Sequence, residues 1–429
     1  MSISRTYRAS SALIPSDKGT EFNRNLEPGR NPEPGRNPEP EHKSLQTIQP
    51  RDKIFVSIAS YRDPECPQTI ADVFLKAKHP DRIFVGVCQQ NDTDDIDCMT
   101  CKIPQRFKQN IRVIRLSHYE AKGPIYARAL IEQHLLQDEL YFLQLDSHML
   151  MVQHWDELCI SQLLQCKSDR AILTTYPHNF DRLTRRFVIL ANGQKKPFGS
   201  VPPTFLRFRE FHKRLRFSEQ ERNTFAITPY KPQPSLFIAS GFLFTLTDCI
   251  HQVPNDPNCP YIFLGEEMSM GLRYYTYGWD FYAPGINICY HLLKRDYRPT
   301  FWEQLHKQKC VVDDATRKDR KLLEDQSIRR IRLLLYGKLQ DDKYGVGDVR
   351  TIQEWEQYTG IDIQNQIAQP RSFHGLTPDA DKDEIYFKMP KVNQLQMSRQ
   401  QIGHQPMSRQ QIGHQPINRQ NPKLKRKMN

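Results

Sequence analysis

The chain has 429 residues, a formal net charge of +12 and a sequence pI of about 9.1, a length that allows about two or three domains. No apolar run approaches the ~18 residues a membrane helix needs, and the opening stretch MSISRTYRASSALIPSDKGTEF has no apolar signal core, so a soluble, cytoplasmic protein without a membrane partner is expected. The charge is uneven: residues 1–50 carry +1 and residues 391–429 carry +8, which leaves +3 of the +12 for residues 51–390. Most of the basic excess therefore sits in a tail instead of on a folded face, which weighs against nucleic acid as a partner.

Residues 25–42 repeat a hexamer, NLEPGR, NPEPGR, NPEPEH, with almost nothing apolar. No core can form from it, so residues 1–50 read as an extended, disordered leader. Folded chain begins at Lys53, where IFVSIASY has the composition of a strand and is followed by an amphipathic helix over 69–77 that Pro80 ends. RIFVGVCQQ (82–90) is a second strand, NDTDDID (91–97) an acidic loop, and IRVIRL (111–116) a third strand. Gly123-Pro124 opens a helix, YARALIEQHLLQ, which leads into the apolar run Tyr141, Phe142, Leu143, Leu145 of a buried central strand. Strands alternating with helices at this spacing predict a doubly wound, mainly parallel α/β sheet.

Further along, Trp155 to Cys166 has helical periodicity and AILTTY (171–176) is a strand. Residues 180–235 show no clean period and are expected to be a surface excursion near an acceptor groove. SLFIASGFLFTL (235–246) is another apolar run, a helix is expected from Glu266 to Tyr274, and INICYHLLK (286–294) is a late strand ending in histidine. DYRPTFWEQ reads as a mobile loop, SIRRIRLLLYG (327–337) as a terminal helix, and TIQEWEQYTGIDI as a small helix and turn. The decamer MSRQQIGHQP occurs at 397–406 and 407–416, too few copies for a solenoid, so residues 391–429 read as low-complexity tail; KLKRK (423–427) reads as a solvated end. The ten cysteines are scattered and read mostly as free thiols; Cys98 and Cys101 form a lone CxxC with no second pair at zinc spacing.

The residues with most chemical content lie where the central strand ends. Asp146 and His148 are one residue apart as the chain leaves the sheet, so both side chains can point into one crevice, and a carboxylate with an imidazole suits a borderline divalent ion such as Mn²⁺. An isolated Asp-x-His is a weak signal that needs its context. Arg128 stands in the second turn of the helix after Gly123-Pro124 and offers a planar fork of donors for phosphate or carboxylate. Ser60, Tyr61, Arg62 and Asp63 occupy the loop after the first strand, where a nucleotide commonly rests. Glu266 and Glu267 are adjacent at a helix start; neighbours on a helix face about 100° apart, so one of them is expected to reach a site. His291 ends a strand, either as a ligand or as a satisfied buried histidine.

In this order the blocks IFVSIASYRDPECPQTIADVFLKAKHPDRIFVGVCQQ, GPIYARAL, YFLQLDSHMLMVQHWDELC, ASGFLFT and GEEMSMGLRYYTYGWDFYAPG resemble the polypeptide N-acetylglucosaminyltransferase family over roughly residues 52–305, and more distantly the mucin-type polypeptide GalNAc-transferases, which share the Asp-x-His motif. The resemblance implies a GT-A glycosyltransferase fold, a parallel nucleotide-binding sheet with a mixed acceptor half, placed at 51–345; residues 346–390 read from the chain itself as a small appendix. The resemblance also implies a UDP-GlcNAc donor, Mn²⁺ or Mg²⁺ on Asp146, His148 and His291, and a protein acceptor carrying hydroxyproline, serine or threonine. By the same resemblance Ser60, Tyr61 and Arg62 cradle uridine, Arg128 lies beside the diphosphate, and Glu266 or Glu267 stands near sugar and acceptor. Arg295, Arg298 and Trp302 fall in a segment that closes over the donor. Its linkage is the retained α form; with no carboxylate evidently placed as a nucleophile, a front-face attack is expected, the leaving diphosphate taking the acceptor proton. A metal-dependent hydrolase using the same three ligands and an inactive binding protein of this fold are the competing readings.

Overall fold

The computed structural model describes residues 52–378, apart from residue 214, residues 308–313 and residue 342. The repeat-bearing leader, the decamer tail and KLKRK lie outside the described residues. Among those described, no helix is long and apolar enough to cross a membrane.

The fold is mixed α/β around an eight-stranded sheet. Its parallel half is built from β1 (Ile54–Tyr61), β2 (Ile83–Asn91), β3 (Ile111–Ser117) and β4 (Tyr141–Asp146), ordered β4, β1, β2, β3. β1 pairs in register with both neighbours, Ile58 opposite Val87 on one side and Leu145 on the other. Because side chains alternate along a strand, Ile54, Val56 and Ile58 enter one apolar cluster with the helices Cys66–Leu75 and Trp155–Leu164. Phe55 enters the cluster on the opposite face with Ala127 and Ile131 of the helix Pro124–His134. Covering on both faces is why β1 is nearly continuous in apolar residues.

The other half is mixed. The strand Phe242–Leu246 runs antiparallel to β4 and to Ala171–Thr174, which pairs in parallel with Asp280–Ala283. A second sheet of five short strands begins at Met149–Met151, just past β4, and pairs it with Cys289–His291 so that His291 faces Met149. That pairing carries the chain end at His291 back to the end of β4. Predicted as one strand over 286–294, this segment keeps only its middle three residues as a strand.

Residues 180–235, expected as a surface excursion, are largely ordered. Phe187–Ile189 and Lys195–Pro197 extend the second sheet, and Thr204–Phe211 with Ser218–Thr224 form an antiparallel hairpin. Phe205, Leu206 and Phe208 are buried, Leu206 and Phe208 in one apolar cluster and Phe205 in another, so TFLRF shows no simple alternation from which a strand could be read. The predicted loop DYRPTFWEQ contains a helix, Phe301–Lys307, and the terminal helix is longer than expected, Asp314–Leu335. The helix Ile352–Thr359 starts on a capping box in which Glu354 N–H donates to Thr351 Oγ1 at 3.1 Å and Thr351 N–H to Glu354 Oε2 at 2.7 Å, satisfying two otherwise unpaired donors. Its Trp355, with Ile361 and Ile363, joins the cluster of Leu206, Phe208 and Leu272.

Candidate active site

The carboxyl end of β4 opens on a cavity of about 620 Å³, lined among others by Asp146, His148, His291, Arg128, Glu266 and Glu267. Three potential metal ligands meet there, with donor atoms all within 4.8 Å of one another. His291 Nε2 is 3.0 Å from His148 Nε2 and 3.3 Å from Asp146 Oδ2. Two imidazole nitrogens this close share either a proton, one donating to the other, or a cation. Burial acts to raise the Asp146 carboxyl, but His291, His148 and Arg128 outweigh it and hold the group well below the usual carboxylate range. Burial pushes the His291 imidazole down to about 4 against the pull of Asp146. An ionised carboxylate and a neutral imidazole are the forms in which these groups bind metal.

The shell behind the ligands includes a residue that the sequence reading placed only in the loop after the first strand. Asp63 is fully buried and its Oδ2 lies 2.8 Å from His148 Nδ1, so Nδ1 carries the proton and Nε2 is free to ligate. Ser147, between the two ligands, donates to the same Oδ2 at 2.7 Å. Burial works against ionisation of Asp63, yet His148, Arg298 and Ser147 bring its carboxyl below the ordinary value. The donor set, one carboxylate and two imidazoles with one of them oriented from behind, fits a divalent first-row cation in the range from Mn²⁺ to Zn²⁺.

Gly241 lets a neighbouring strand approach this site. A Cβ there would stand 3.0 Å from Asp146 Oδ2, and the Asp146 N–H donates to the Gly241 carbonyl at 3.2 Å. Gly241→Ala is therefore expected to displace the Asp146 carboxylate and weaken Mn²⁺ binding by about tenfold or more, with little change in thermal midpoint. Isothermal titration of Mn²⁺ checks this; unchanged affinity would show that Asp146 has room to yield.

Arg128 is buried and engaged. Its guanidinium donates to Glu266 and, at 3.0 Å, to the Ser240 carbonyl, and makes a longer contact of 3.4 Å with Asp146. It thus neutralises two carboxylates of the site. Both adjacent glutamates line the cavity, where one was expected. Their helix, Glu266–Thr276, presents its first turn to the cavity, so residues that diverge farther along a helix stay together here. Gly265 makes the entry possible: its φ is 99°, in the region that favours glycine, and a Cβ would meet the Phe217 ring at 2.7 Å.

Glu267 accepts from the Tyr176 hydroxyl and, at 2.8 Å, from the Ser240 N–H. Burial raises its carboxyl to about 7, with those hydrogen bonds pulling the other way. A folded-state value above the usual 4.5 means the native state binds the extra proton, so this contribution to stability is complete below pH ~4.5 and is lost as pH rises through ~7. The thermal midpoint should fall between about pH 5 and about pH 8, and Glu267→Gln should make that fall shallower. Equal slopes in the two proteins would show that Glu267 titrates normally.

Of the residues expected at the donor, Tyr61, Arg295, Arg298 and Trp302 line the cavity, whereas Ser60 and Arg62 do not. Ser60 is buried at the end of β1, its carbonyl accepting from Gln90 at 3.2 Å. Arg62, at a φ of 48°, turns toward the acidic loop, where Nε donates to Asp95 at 2.7 Å and Asp92 is 3.3 Å away. The acids at 92–97 that mark this loop in the sequence are what draw it off. Arg298 donates to the Tyr61 carbonyl at 2.7 Å, and Trp302 packs edge-on against Phe301 and Phe263. The lining also includes Tyr176 and the strand residues Ser218 to Arg222, which the sequence reading did not single out. The nine cysteines among the described residues are free, Cys98 and Cys101 both buried.

The family model described as Glycosyltransferase (GlcNAc) matches residues 53–105 and 100–365. No curated protein sequence matches the chain. Among solved structures, GalNAc-T7 with UDP, GalNAc and Mn²⁺ is similar at 13% identity and a TM-score of 0.44, over 71% of this chain and 54% of that one, so the chain spans about half the length of that relative. The mannosyltransferase PcManGT of Pyrobaculum calidifontis, in complex with GDP-Man and Mn²⁺, is similar at 11% identity and a TM-score of 0.35, over 65% of this chain and 74% of that one. TarS 1-349 of S. aureus in complex with UDP-GlcNAc is similar at 13% identity and a TM-score of 0.35, over 66% and 72%.

Proposed function

The chain belongs to the glycosyltransferase (GlcNAc) family, and from that premise we propose that it transfers N-acetylglucosamine from UDP-GlcNAc to a hydroxyl of a protein acceptor, hydroxyproline, serine or threonine. The transfer retains the anomeric configuration and uses Mn²⁺ or Mg²⁺ held by Asp146, His148 and His291. The observation that carries this reading is the convergence of those three side chains at the cavity end of β4. A bound divalent cation supplies positive charge to the diphosphate as its bond to the sugar breaks.

The chain's own groups do the rest. Arg295 lines the cavity with its Nε buried and without a hydrogen-bond partner among the described residues, a preorganised donor for developing negative charge. Arg298 adds a second guanidinium on that side. As the anomeric carbon–oxygen bond breaks, its electron pair passes to the leaving diphosphate. The acceptor oxygen then bonds to the same face, and its proton goes to a diphosphate oxygen. Neither glutamate offers an uncommitted nucleophile: Glu266 is bound to Arg128, and Glu267 accepts from Tyr176 and Ser240. Front-face attack is accordingly favoured over a glycosyl-enzyme; a sugar adduct trapped on either residue would reverse that order.

The test is UDP release from a panel of UDP-sugars, with Mn²⁺ or with EDTA. Turnover of UDP-GlcNAc that depends on the metal supports the reading. Absence of both turnover and a UDP-dependent thermal shift would favour the hydrolase or the inactive binding protein. We also propose that the protein acts in the cytoplasm, which a fluorescent fusion in cells of the source organism would test.

A further inference from the structure

A buried carboxylate that accepts from several segments at once ties their positions together. Asp63 does so for the two sides of this site. Its Oδ2 takes Ser147 Oγ at 2.7 Å and lies 2.8 Å from His148 Nδ1, both from the turn after β4. Its Oδ1 accepts the Glu65 N–H at 3.0 Å and the Tyr297 hydroxyl at 3.3 Å. Arg298 Nε stands 3.1 Å from Oδ2 as an ion pair, without the alignment of a hydrogen bond. Tyr297 and Arg298 belong to the strap that follows the third ligand, His291. This strap carries Arg295 into the cavity wall and leads to Phe301 and Trp302, which line it too.

The strap has further anchors on the same side. The Phe301 ring packs edge-on to Tyr61 with centroids 5.4 Å apart, and Arg182 lies over Tyr297 at 4.2 Å. The Leu292 N–H donates to the His148 carbonyl at 3.1 Å where the strap begins, and Asp63 is the side chain that ties the middle of the strap, at Tyr297 and Arg298, to the His148 imidazole. Drawing electrons from His148 through Nε2 makes Nδ1–H a stronger donor and fixes the carboxylate that the strap shares. Coupling of this kind is reciprocal: whatever steadies the strap also steadies the ligand.

We propose that Asp63 is a positioning residue that couples the metal shell to the strap at 292–302, so that filling the Asp146–His148–His291 site secures the donor-facing strap residues. The inference rests on the metal site of the proposed function. It makes the strap the element through which UDP-sugar and metal strengthen each other.

The experiment is hydrogen exchange of residues 292–302 in the full chain with and without Mn²⁺, beside Mn²⁺ affinity measured from the paramagnetic resonance of the free ion. In the wild type Mn²⁺ should slow exchange in the strap. In Asp63→Asn, Mn²⁺ affinity should fall by about 10–100-fold, and at saturating Mn²⁺ the strap should no longer be slowed. The double variant Tyr297→Phe, Arg298→Gln cuts the link from the strap side: its Mn²⁺ affinity should fall by less than in Asp63→Asn, since His148 keeps its support, while the slowing is lost. This variant carries the test if Asp63→Asn does not fold. Mn²⁺ binding with unchanged strap exchange in the wild type, or slowing that survives in the double variant, overturns the coupling alone. No Mn²⁺ binding to the wild type overturns the metal site and the coupling together.

Discussion

Asp146→Asn is expected to lower metal-dependent turnover of UDP-GlcNAc by about a thousandfold or more, the scale of losing a charge that is stabilised chiefly in the transition state. The carboxamide has nearly the shape of the carboxylate, so the close approach of Gly241 is undisturbed. Arg128 loses its long contact to Asp146 but keeps Glu266 and the Ser240 carbonyl. The thermal midpoint should therefore stay close to wild type while Mn²⁺ affinity collapses. His291→Ala should lose turnover in the same way, since its Nε2 faces both other ligands. Release of UDP at a fixed Mn²⁺ concentration, read beside thermal denaturation, separates loss of chemistry from loss of fold. Turnover within a few-fold of wild type in Asp146→Asn would remove these three residues from the proposed mechanism.

The second large effect is on stability. Arg128→Met should destabilise the protein by about 3–5 kcal/mol, because breaking a buried ion pair from one side leaves an uncompensated charge. Glu266 is 3% exposed and would lose its guanidinium partner, and Asp146 would lose a contact as well. Burial already raises the Glu266 carboxyl, with Arg128 pulling it down. Removing the arginine raises it further, so the variant's folded state takes up a proton that the unfolded chain binds only at lower pH. Its deficit should then be smallest in acid and grow as pH rises through the folded-state value. Urea denaturation at about pH 5 and about pH 8 reads both the size and this slope. A deficit below about 1 kcal/mol at both would mean that water reaches Glu266 once the arginine is gone.

Much of the fold was legible because its signals are local. β1, β2 and β4 are apolar runs of strand length, and β1 has neighbours on both sides and helices on both faces. Glycine and proline mark where helices begin. The region 180–235 was not legible: Leu206 and Phe208 are buried against Leu272, Trp355 and Phe373, which lie more than 60 positions further along the chain. A hairpin strand that buries neighbouring residues on both faces and is dense with arginine shows no period to read until its partner surfaces are known.

At the site, local pattern determined which chemistry is present. An acid and an imidazole one residue apart at a strand end, a histidine at a later strand end, and two acids at a helix start are all properties of neighbouring residues. Which of them work together was decided by long-range pairing. His291 reaches Asp146 because Cys289–His291 pairs with Met149–Met151 across about 140 residues of chain, a register that no local pattern encodes. Asp63 becomes the support of His148, Arg62 is drawn to Asp95, and Arg128 is committed to Glu266, each through a partner at least 33 positions away. A charged side chain takes the opposite charge that the fold brings nearest, and that choice is made only when desolvation in the folded state makes an unpaired charge too costly to keep.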